Sequence, residues 1–272
     1  MIRTSPIIKF GTDALNIKQM VSSVTASTSQ TFADVQDVWI GNKINTAYAT
    51  FEPDFWVLDG KYKIVKDSVK VGFMSASQSD ASGNFSVVPY ITIYFDFSQP
   101  ACDITLYFSE YTNDYSDSIT IKRTNNAGVV LSTSNYTPTG TTFTASVASG
   151  FYRLIIEFNS TNNPYRYARL SQIDFGDLDE FDSSVIKTAT LIEEINPISL
   201  TQPTGSLDFS IKPVFNVLAP TGIYTQLTER APIEAYEVVG SETIYLGMFF
   251  ISKIENPLQT TIDIKANDYI FF

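Results

Sequence analysis

Histidine is missing from all 272 residues. Its absence removes the Ser-His-Asp and Cys-His arrangements, imidazole metal ligands and the commonest general base. Cysteine occurs once, at Cys102, so no intrachain disulfide forms. With no basic neighbour to lower its pKa, that thiol reads as a small buried residue rather than a nucleophile. Positive charge is scarce: 18 Lys and Arg against 29 Asp and Glu leave a net charge of −11. Phosphate backbones and anionic bilayers repel such a chain, which argues against nucleic acid as a partner. No apolar run is long enough to span a bilayer, so no membrane insertion is expected. The start, Met1-Ile-Arg-Thr-Ser-Pro, lacks the charged beginning and apolar middle of a signal peptide. Helical periodicity is weak, and the best helix candidates are the short segments 13–20 and 222–229.

What is abundant favours strands. Aromatics make up 14% of the chain, mostly 20 Phe and 15 Tyr, alongside many Val, Ile and Thr. Ile91, Ile93, Phe95 and Phe97 alternate with Thr92, Tyr94 and Asp96. Similar runs cover 104–108, 119–122 and 152–158, separated by turn residues at 98–100, 125–128, 137–140 and 148–150. Short strands at this spacing predict an all-β chain whose first large domain is a β-sandwich. Further on, Leu207, Phe209 and Ile211 alternate with polar residues, as do Ile262, Ile264 and Ala266. Segment 244–251 is apolar on both faces apart from Gly247, as expected of a strand covered by its own core on one side and by another subunit or domain on the other. The expected organisation is an N-terminal arm or first strand (1–25), a sandwich (26–176), an acidic linker (177–184) and a smaller β-barrel-like or sandwich domain (185–272).

The phrases at 206–212, 219–224, 230–236 and 244–255 resemble a small β-domain of bacteriophage tail and baseplate proteins and of related tail-like particles, over roughly 177–272. In the first domain, Ala49-Thr-Phe-Glu-Pro-Asp-Phe-Trp-Val-Leu-Asp-Gly resembles the opening of a galactose-binding-like (discoidin-like) sandwich. Asn162-Asn-Pro-Tyr-Arg-Tyr-Ala-Arg-Leu-Ser-Gln-Ile-Asp-Phe-Gly resembles its closing strand. These resemblances imply a non-enzymatic structural component of a tail baseplate or tail tip. Its partners would be other tail proteins, copies of itself and a cell-surface glycan, and it would be assembled in the host cytoplasm. Tyr245, Phe249, Ile251 and the end Tyr269, Ile270, Phe271 and Phe272 are the candidate assembly surface, the last four by strand addition. The alternatives are a stand-alone carbohydrate-binding module and a glycan hydrolase using two carboxylates.

Sugar sites need a flat aromatic face and planar polar groups. The loop candidates are Trp39, Tyr48, Tyr165 and Arg166, with Asn162 and Asn163 as hydrogen-bonding partners. Tyr165 and Arg166 follow a proline turn, which favours exposure. Against these stand a purely structural role for the same loop, Trp56 as core, and Arg169 pairing with Asp174 or Glu157 or capping the sandwich end. No cofactor is expected. A structural calcium ion, as in related sandwiches, has Asp80, Asn84, Asp114 and Asp117 as candidate ligands; the competing reading is of ordinary solvated turns.

Overall fold

The computed structural model describes residues 4–11, 15, 17–18, 20–31, 33–39, 49–53, 55, 71–109, 112–176, 179–194, 204–212, 227–240, 242–255 and 261–268. Seventeen strands run through them: β1 (Thr4–Phe10), β2 (Val21–Ala26), β3 (Phe73–Gln78), β4 (Tyr90–Gln99), β5 (Cys102–Tyr107), β6 (Ser118–Thr124), β7 (Val130–Tyr136), β8 (Thr142–Val147), β9 (Phe151–Ser160), β10 (Tyr167–Leu170), β11 (Gln172–Phe175), β12 (Asp179–Phe181), β13 (Ile186–Glu194), β14 (Thr204–Ile211), β15 (Pro232–Val239), β16 (Glu242–Glu255) and β17 (Ile262–Asn267). They form two compact units, one of Ile17–Gly176 and one of Met1–Asn16 with Asp177–Phe272.

The first unit is a sandwich. One layer is an antiparallel sheet in the order β2-β4-β9-β6-β7, so the Ser/Thr-rich stretch after Val21 forms an edge strand. The other layer is the pair β3-β10 together with β11-β5-β8. β10 and β11 are one run of chain broken at Ser171. The Ser171 N–H donates to the Tyr107 carbonyl at 2.8 Å, and its Oγ donates to the carbonyls of Tyr107 and Phe108. That break lets the chain leave β3 and pair with β5. Period-two alternation sends Ile91, Ile93, Leu154, Ile156 and Phe158 into the core, where they meet Phe73, Ile104, Leu106 and Ile173. The layers touch through Phe73 and Phe158, stacked at 5.2 Å, and through Phe95, edge-on to Phe175 at 5.6 Å.

The second unit is a single antiparallel sheet in the order β12-β1-β15-β16-β17-β14-β13. Its two end strands, β12 and β13, are neighbours in the chain, joined through a turn in which the Ile186 N–H donates to the Asp182 carbonyl at 2.8 Å. The sheet therefore has to curl until its ends meet, as in a small barrel. β1, expected as an arm or first strand, pairs with β15 along its whole length and with β12 over Ile8–Phe10 positions. The interior holds Ile8, Phe10, Ile233, Leu207, Phe209, Ile211, Phe249, Ile251 and Ile264.

The apolar run 244–251 has a local cause. The register between β15 and β16 shifts between Ala235 and Tyr236, a bulge at which Gly247 takes φ +147°. The bulge reverses which face each residue presents, so Leu246 packs against the interior like Phe249 and Ile251. Two of the candidate assembly residues are corrected by this: Phe249 and Ile251 belong to the unit's own core and are buried. Tyr245 packs on Tyr236 with ring centroids 5.3 Å apart, and burial, with Glu234 nearby, raises its phenol pKa. Tyr269, Ile270, Phe271 and Phe272 lie outside the described residues, as does most of 222–229.

Candidate functional site

At one end of the sandwich four loop segments are fastened together. The turn 80–84 is built by Asp80, whose Oδ1 accepts from the N–H groups of Ser82 (2.8 Å) and Asn84 (2.9 Å). Gly83 sits in it at φ +81°, and an added Cβ would come within 2.4 Å of the Thr161 carbonyl oxygen. The Thr161 N–H donates to the Gly83 carbonyl at 2.8 Å, and Ser79 and Thr161 share a hydroxyl hydrogen bond. Asn162 clasps the 113–115 turn: its Oδ1 accepts from the Tyr115 N–H and its Nδ2 donates to the Asn113 carbonyl. Asn163 donates to Asp114 Oδ1 at 2.9 Å.

Arg166 and Arg169 fasten the remaining loop, 49–55. Arg166, expected to be exposed, is only 9% exposed. Its Nε lies 3.3 Å from Asp114 Oδ1, NH1 donates to the Pro53 carbonyl, and the guanidinium lies over the Phe55 ring at 4.7 Å. The ion pair and the ring explain the burial: a planar cation can leave water where a carboxylate and an aromatic face receive it. Arg169 pairs with Glu52 instead of the expected Asp174 or Glu157. Glu52 is fully buried and also accepts from the Thr50 hydroxyl (2.5 Å) and the Tyr167 N–H (3.0 Å). Burial lowers the Arg169 pKa to about 10, so it stays charged at neutral pH, facing the carboxylate.

What these fastenings leave in solvent is aromatic. Tyr165 adopts a positive φ of 59°, with its N–H directed at the Asp80 carbonyl, and its ring is 47% exposed. Phe51, next to buried Glu52, is 91% exposed. Asn84 and Asn113 are exposed on the neighbouring turns. The sequence candidates thus divide. Tyr165 is presented to solvent; Asn162, Asn163 and Arg166 hold the loops. Trp39 ends the 3-10 turn Val35–Trp39, and its side chain is not among those described; Tyr48 and Trp56 lie outside the described residues. Phe51 was not among the candidates, although it lies within the 49–60 phrase.

Of the calcium candidates, Asp80 caps its own loop, Asp114 faces Arg166, and Asp117 accepts from the Ser160 hydroxyl. Among the described residues no three His, Cys, Asp or Glu side chains converge as a metal site.

No family model and no curated protein matches the chain. Solved structures similar to it include chitosan-binding module 1 of a chitosanase/glucanase from Paenibacillus sp. IK-5, at 14% identity, covering 59% of this chain and 98% of that one with a TM-score of 0.39. The lectin domain of lectinolysin complexed with Lewis B antigen is similar at 11% identity, covering 59% and 94%, with a TM-score of 0.40. The family 32 carbohydrate-binding module of C. perfringens NanJ, in complex with galactose, is similar at 10% identity, covering 63% and 99%, with a TM-score of 0.39. The chemistry of this chain's site comes from its own loops.

Proposed function

We propose that the sandwich is a carbohydrate-recognition module and that the loop end carrying Phe51 and Tyr165 is its binding face. The observation that supports it is the phenyl ring of Phe51, almost wholly in water on a loop held by a fully buried Glu52. Leaving such a ring exposed forgoes ~1.5–3 kcal/mol of burial. An exposed ring on a loop anchored through Glu52 gives a pyranose ring an apolar face to stack on. The exposed amides of Asn84 and Asn113, on the neighbouring turns, supply planar hydrogen-bonding groups. Glu52 and Asp114, the carboxylates buried at this end, are each turned to an arginine, which suits a binding face more than an acid–base pair. The net charge of −11 favours neutral or amino-bearing glycans over acidic ones.

Phe51→Ala and Tyr165→Ala should each weaken glycan binding tenfold or more on an array of neutral and sialylated glycans, with the melting temperature unchanged. Full binding by the double variant would remove this face from consideration.

A tail or baseplate setting is the second reading. One observation favours it: β1 and 177–272 make a unit of their own with the sandwich inserted between them, an arrangement that separates attachment from recognition. Negative-stain microscopy with antibody labelling should then find the chain at the distal end of a tail. Labelled protein free in cells without such particles would count against it.

A further inference from the structure

We propose that the barrel-like unit receives an extended strand of a partner polypeptide at a seam between β1 and β13; this stands on the geometry of that unit and is independent of glycan binding. β12 closes the seam only beside residues 8–10 of β1. Beyond it, residues 4–7 of β1 pair on one side with β15, and β13 pairs on one side with β14; among the described residues neither has a second partner strand. β1 and β13 run antiparallel to each other, because five successive antiparallel pairings separate them.

A cavity of about 250 Å³ is lined by residues of both rims, β1 and β13, together with residues of β14, β15 and β16. Ile8 and Leu207 of the filled interior line it, together with Pro6, Leu191 and Leu246. Ala189 faces it while remaining exposed, as expected of an open mouth. Glu237 also lines it.

The choice of occupant follows from the rims. Among the described residues, residues 4–7 of β1 and strand β13 each leave one edge without a partner strand, and an apolar molecule would cover the N–H and C=O groups of such edges without bonding them. A polypeptide strand bonds both, antiparallel to one rim and parallel to the other, and sends alternate side chains into the cavity. The volume lies below the ~300–1,000 Å³ of small-molecule pockets and suits a few aliphatic side chains. Glu237, on a chain of net charge −11, selects a strand with a basic residue at the mouth.

The test uses the full chain with Lys-Thr-Val-Thr-Val-Thr fused through a Gly/Ser linker to Met1, which raises the local concentration of a weak strand. Amide hydrogen exchange at 188–191 should slow tenfold or more relative to the unfused chain. A fusion with both Val changed to Pro, which removes their N–H donors and extended pairing, should not slow it. Ala189→Phe, filling the mouth from an exposed position, should abolish the slowing, and a fusion beginning with Glu should slow exchange less than one beginning with Lys. No slowing in the Val fusion, equal slowing in the Pro fusion, or equal slowing by octanol alone would overturn strand docking.

Discussion

Two arginines three residues apart show how little residue type says about role. Arg166 and Arg169 both sit on the closing phrase of the sandwich, and both are withdrawn from water by a carboxylate brought from another loop. Removing one member of a buried pair leaves a charge in a poor solvent, so Arg169→Ala should lower stability by ~3–5 kcal/mol in urea unfolding. Glycan affinity of the remaining folded protein tests whether the loop anchored by Glu52 also positions Phe51; a smaller than tenfold change would separate the anchor from the binding face. Cys102 gives a pH prediction. Burial first, then the Asp103 carboxylate, pushes its thiol pKa from 9.0 up to about 11. A raised pKa means less thiolate, by about 100-fold at pH 8, so alkylation by iodoacetamide should be slow there and quicken toward pH 11. Rapid labelling at pH 8 would contradict this. The absence of a basic neighbour, legible in the sequence, agrees with the direction of this shift, although Cys102 is half-buried where a buried residue was expected. The partners of Arg169 were not legible in the sequence, because Glu52 lies 117 positions away and sequence spacing carries no information about contacts at that distance.

At the level of elements, alternation was a sufficient guide wherever a strand has one wet face. β4, β5, β6 and β9 stand where their patterns placed them. β16 shows the limit: a bulge at Gly247 reverses the alternation, and a strand covered by its own core then reads as apolar on both faces. The 80–84 turn at this end of the sandwich depends on the left-handed conformation of Gly83. Gly83→Ala would force a Cβ against the Thr161 carbonyl in a left-handed position, so it should cost more than ~1 kcal/mol and loosen the 80–84 turn. Faster amide exchange at Gly83 and Thr161, with β4 and β9 unchanged, is the expected signature; exchange lost throughout the sandwich would mean the turn is needed for the whole fold.

For the molecule as a whole, the consequence of the topology is that the chain's two ends build one unit. Ile8 and Phe10 of β1 lie in the core shared with β14, β15, β16 and β17, and the Phe10 ring stacks on Phe181 at 4.3 Å. Deleting residues 1–10 should therefore make 177–272 protease-sensitive while the sandwich, with a separate core, keeps its thermal transition. Resistance of 177–272 in that deletion would show that β1 is dispensable. The sequence by itself determined the all-β class, the strands of the sandwich and the exclusion of histidine chemistry, because composition and period-two patterning act over a few residues. Tertiary structure alone decided that β1 joins the C-terminal sheet, that Arg166 is a buried fastening, that Phe51 is left in water and that, among the described residues, β13 pairs with β14 alone. Each of these depends on which distant segment arrives alongside, and that is set by the closing of the sheets rather than by any local preference.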